Sequence, residues 1–159
     1  MRPWRFVLTG GVVAGTLDIV YAIVFWAIKR GVAPERILQR VAAGVLGSAS
    51  MTDGWASAAL GLFFQYFIAI AMAVAYFLVA RRWSALWQRP LLYGAVYGLL
   101  LYFIMNYIVV PLSAAGPGSK DPLWIALSIA VHALCVGIPC AIFARLAIQA
   151  DTKISVTAV

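Results

Sequence analysis

Charge, and the side chains that bind metals or carry redox chemistry, are what this 159-residue chain has least of. A single histidine, His132, excludes bis-histidine haem ligation within the chain, and no His, Cys or carboxylate spacing matches a metal site. Cys135 and Cys140 lack the C-x-x-C spacing of a redox pair and lie about 140° apart around a helix, so they do not readily bond to each other within it. Each reads as a small buried apolar residue. Ser48 and Ser50 sit close to glycine with no positioned base, so no nucleophile is assigned. No catalytic residue, metal or cofactor is expected, and the chain is not read as an enzyme.

Apolar residues make up 65% of the chain against 11% charged, and the mean hydropathy is +0.98. Those values lie outside the range of ordinary soluble domains. Four long apolar runs, over 6–28, 57–80, 91–112 and 123–146, each suffice to cross a bilayer as a helix. The expected fold is therefore all-α: one polytopic membrane domain, 1–159, of four transmembrane helices. The first run starts after Arg2 and Arg5, but its length, its Asp18 and its Lys29-Arg30 ending make it a retained span rather than a signal peptide. The formal charge of +7 comes from basic residues at helix ends and in loops, which points to a lipid bilayer and not to nucleic acid.

Pro3 suits the first turn of the first span, and Trp4 and Trp26 are candidate interfacial anchors at its ends. Between the first two spans, 34–47 reads as a short amphipathic helix with Ile37, Leu38, Val41, Val45 and Leu46 on one face. Arg36, Gln39 and Arg40 lie largely elsewhere. Thr52 or Asp53 is the candidate N-cap of the second span, and Asp121-Pro122 opens the fourth with a cap followed by proline. Pro139 removes a backbone donor, frees the Cys135 carbonyl and predicts a kink one turn from His132. An inside N-terminus places Arg2, Arg5, Arg81, Arg82, Arg89, Arg145 and Lys153 in the cytoplasm, against Lys29, Arg30, Arg36, Arg40 and Lys120 outside. That seven-to-five division favours N-in and C-in.

Asp18 lies near the middle of the first span. A carboxylate there costs roughly 2.5 to 3.5 kcal/mol on insertion scales, so it calls for a partner or a purpose. Gly11 and Gly15 share its helix face and allow another helix to come close. Gly61 does the same beside Gln65, and Gly94 and Gly98 give the third span a small-xxx-small contact. These rows serve equally within one chain or between copies in a homo-oligomer. Counting rise from the span midpoints, Asp18 and His132 fall within about 3 Å of the midplane, and Gln65 and Asn106 about 5 to 8 Å from it. The four form a candidate polar layer for a proton or a small-solute ligand, with Asp18 and His132 as its ionisable pair. The alternative is a structural or accessory membrane protein in which they only fix helix packing.

G-T-L-D-I at Gly15 to Ile19, P-E-R-I-L-Q-R-V-A-A-G-V-L-G at Pro34 to Gly47 and M-N-Y-I-V-V-P-L-S at Met105 to Ser113 together resemble a group of uncharacterised small bacterial inner-membrane proteins. In size and plan the chain is also similar to the YagU type of inner-membrane protein, linked to acid tolerance. The resemblance implies residence in a bacterial inner membrane and no catalytic assignment. The acid in the first of four spans superficially resembles small multidrug transporters, from which this chain departs in its greater length, its aspartate and its long first loop.

Overall fold

The computed structural model describes residues 3–157, with side chains to Asp151, so Arg2 and the Lys153 side chain of the charge count lie outside the described residues. Among the described residues the regular structure is helical throughout. Helix α1 spans Pro3–Arg30, α2 Pro34–Leu46, α3 Gly54–Ala80, α4 Ser84–Gln88 and α5 Pro90–Ile104. A first π-helical turn, Met105–Val109, leads into α6, Val110–Leu112. Helix α7, Pro122–Val131, passes through a second π-helical turn, His132–Gly137, into α8, Ile138–Thr157. Four stretches are long and apolar enough to cross a membrane: Pro3–Arg30, Gly54–Ala80, Pro90–Leu112 and Pro122–Asp151.

Local chemistry explains the boundaries. Gly31 takes the left-handed conformation (φ 62°) that ends α1, its N–H donating to the Ala27 carbonyl at 2.9 Å. Asp121 caps α7 by accepting from the N–H groups of Leu123 and Trp124 at 3.0 and 3.1 Å, and Pro122 takes the first helical position. Asp53 holds the N-cap position of α3, but neither it nor Thr52 caps through its side chain; the Thr52 hydroxyl donates to the Ala49 carbonyl instead.

Both π turns precede a proline. Pro111 and Pro139 cannot donate to the carbonyls of Tyr107 and Cys135, and their rings crowd those oxygens. The helix widens by one residue, so that Val110 donates to Met105 and Ile138 to Ala133. The kink expected at Pro139 thus takes the form of a π turn that begins at His132.

The bundle has two unlike halves. In the half that holds both termini, a dry cluster includes Val7, Ala14, Ala73, Phe77, Val136 and Ala144, and its prevalence of alanine lets the helices come close. The other half is filled by α2, by aromatic side chains and by the polar groups described below. Large apolar residues point outward along every long helix, among them Leu8, Val20, Phe63, Phe67, Leu92, Phe103 and Leu127, the reverse of a soluble domain.

Helix α2 packs on α3, but its buried residues are Gln39, Ala42 and Ala43, while Val45 and Leu46 of the expected apolar face are exposed. Gln39 tolerates burial because its amide donates to the Gly54 carbonyl at 2.8 Å and its oxygen accepts from Arg36 at 3.3 Å. Gly61 is required here: a Cβ on it would lie 1.9 Å from the Leu38 carbonyl oxygen. Its close neighbour is therefore α2 and not another long helix.

Candidate functional site

The site begins with the crossing of α1 and α3. A Cβ on Gly11 would lie 2.6 Å from the Ile70 Cα, and one on Gly15 would lie 2.9 Å from the Ala69 Cβ. These glycines bring the helices close enough for Gln65 to reach Asp18. The Gln65 amide donates to Asp18 Oδ2 at 2.9 Å and to the Gly15 carbonyl at 3.3 Å.

The fourth long helix supplies the other side. His132 Nδ1 lies 4.0 Å from Asp18 Oδ1 and 2.9 Å from the Ser128 carbonyl oxygen. A carbonyl only accepts, so this contact calls for a proton on Nδ1. The Tyr102 ring meets the imidazole edge to face, with centroids 5.4 Å apart. Gly98 makes that approach possible: a Cβ there would fall 2.0 Å from the His132 carbonyl oxygen. Gly94 similarly faces Ile138 and Ala141, and Gly137, which the sequence pattern had not singled out, closes on Gly94 and Gly98. The Asp18 and His132 side chains remain 28% and 16% exposed.

Three of the four expected polar residues therefore meet. Asn106 does not join them, because its amide donates to the Tyr102 carbonyl one turn back in its own helix, at 2.9 Å. That bond ties it to the residue whose ring meets His132.

Sequence reasoning missed the polar and aromatic groups that continue from this site toward the ends of α1 and α7. The Tyr21 hydroxyl lies 3.2 Å from Ser128 Oγ and donates to the Trp124 carbonyl at 3.4 Å. Lys29 pairs with Asp121. The hydrogen bond from Lys29, followed by that from the Trp124 N–H, holds the Asp121 carboxyl below its ordinary range. The signal was present as a register of three and four residues: 18, 21, 25 and 29 on one helix, 121, 124, 128 and 132 on the other.

The arrangement sets a carboxylate that accepts from an amide beside an imidazole, near the middle of two apolar helices. No protein family, curated protein or solved structure matches the chain.

Proposed function

We propose that the protein is a multi-pass protein of the bacterial inner membrane whose Asp18, Gln65 and His132 form a proton-linked site for the transport or sensing of a small solute. The observation that carries this reading is the partly open Asp18 carboxylate, held between the Gln65 amide and the His132 imidazole near the middle of an apolar helix. Intramembrane carboxylates are expensive, and one that keeps access to a titratable partner is suited to proton exchange. The outward-facing apolar side chains support a lipid surround. The N-in, C-in orientation rests on the seven-to-five division of basic residues; each end has one ion pair, Arg81 with Asp151 and Lys29 with Asp121. The glycine rows are taken up by contacts within the chain, so a homo-oligomer would form through the exposed apolar faces.

Liposomes that contain the protein and a trapped pH-sensitive dye test the proposal after an external acid jump. The wild type is expected to admit protons faster than empty vesicles, and Asp18→Asn to lose that excess while it folds and inserts. Equal influx in the two proteins would overturn it. A structural role is the second reading, favoured by the absence, among the described residues, of any buried side-chain polar atom without a partner. It predicts that Asp18→Asn lowers thermal stability and alters no proton movement.

A further inference from the structure

Between Asp18 and the edge of the bundle, α1 and the start of the fourth long helix face each other in four matched steps. Asp18 meets His132 at 4.0 Å, Tyr21 meets Ser128 at 3.2 Å, the rings of Phe25 and Trp124 lie 5.1 Å apart, and Lys29 meets Asp121. Spacings of three and four residues keep these groups on facing stripes of two antiparallel helices.

The seam differs from the other contacts of α1. At Gly10, Gly11 and Gly15 the neighbouring helices come so close that an added Cβ would collide with Phe143, Ile70 or Ala69. Along α7 close backbone approach is sparse, and side chains bridge the space. Tyr21 stacks on Trp124 with centroids 5.2 Å apart, and Trp26 packs on Trp124 at the same distance. A gap filled by side chains opens through rotamer changes, whereas a contact between backbones opens only if whole helices move. The buried alanine-rich cluster runs from the level of Leu101 and Val136 toward Val7 and Ala147, away from this seam.

We infer that this seam is the access route to Asp18, with the Tyr21–Ser128 pair and the Phe25–Trp26–Trp124 rings as its plug and the Lys29–Asp121 ion pair as its latch. The inference rests on the proposal that Asp18 exchanges protons. Asp121 makes the latch separable from the fold: Oδ1 caps α7 while Oδ2 holds Lys29. Releasing Lys29 therefore frees the end of α1 and leaves α7 capped.

Ser128→Cys, introduced with Cys135→Ala and Cys140→Ala, reports on the route through its rate of labelling by a water-soluble methanethiosulfonate in liposomes. Asp121→Asn removes the charge yet keeps a side chain that caps well, and Lys29→Gln leaves the cap untouched. Both are expected to raise the labelling rate by about threefold or more, the size of shift that a partly exposed ion pair supports. A smaller rise in either variant overturns the latch, since a change confined to Asp121→Asn reports the cap and one confined to Lys29→Gln reports the lysine stem. Labelling does not require Asp18 to titrate, so failure here and failure of the proton-influx experiment are separate results.

Discussion

The most consequential residue after Asp18 is Gln65, because its amide is the hydrogen-bond donor that reaches the carboxylate. Gln65→Leu leaves a partly buried carboxylate without that donor and is expected to destabilise the protein by about 1 to 3 kcal/mol. Unfolding equilibria in mild detergent measure the loss, and Asp18→Asn placed on top should recover part of it. Asp18, Gln65 and His132 were legible from sequence because a polar residue in an apolar helix is conspicuous and helical rise fixes its depth. Asn106 looked equivalent by depth, but depth does not reveal that its amide turns back to Tyr102. Tyr21 and Ser128 were harder to see as partners, since neither residue type is costly enough in an apolar helix to demand attention.

At the end of α7, Asp121 gives a pH prediction whose sign follows from its shift. Lys29 and the Trp124 N–H depress the folded carboxyl, so its contribution to stability is complete above the unfolded carboxylate range and is lost as pH falls through the folded value. The thermal midpoint should therefore drop on acidification below that range, and Asp121→Asn should flatten the drop.

Among elements, the contact of α5 with the second π turn tolerates little change, as does that of α3 with α2. An alanine at Gly98 would put its Cβ 2.0 Å from the His132 carbonyl oxygen, against backbone that cannot step aside. Gly98→Ala is expected to cost about 1 to 3 kcal/mol, in the range of other overpacking substitutions, and to displace His132 from Asp18. Thermal unfolding checks the first effect, and the chemical shifts of the imidazole check the second. Pro139→Ala restores a donor for the Cys135 carbonyl and should let the π turn relax toward α-helix, detectable as new amide protection at residue 139. The proline gave the position of this irregularity in advance, and the presence of four long apolar helices followed from apolar length, whereas caps and turns set their ends. The burial of α2 followed only in part: Ile37, Leu38 and Val41 of its apolar face are half-buried, but Val45 and Leu46 are exposed, and hydrogen bonds let Gln39 be buried with Ala42 and Ala43.

For the whole molecule, the division into a dry half and a side-chain-bridged half predicts unequal dynamics. Amides near Ala14, Ala73 and Ala144 lie in or beside the buried cluster and should exchange most slowly, whereas those near Phe25 and Trp124 should exchange faster. Hydrogen exchange in nanodiscs reads this directly. No sequence period distinguishes the halves, because both are equally apolar; alanine packing in one and aromatic bridging in the other emerge only once the helices are paired.

The account depends on Asp18 taking up and releasing a proton inside the assembled bundle. Infrared difference spectra of the protein in lipid, recorded across a pH titration for the wild type and Asp18→Asn, follow the protonated-carboxyl stretch. The account predicts one reversible carboxyl band that the substitution removes and that Gln65→Leu shifts in its titration. A wild-type spectrum in which no band is lost in Asp18→Asn would contradict it and leave Asp18 as a packing residue.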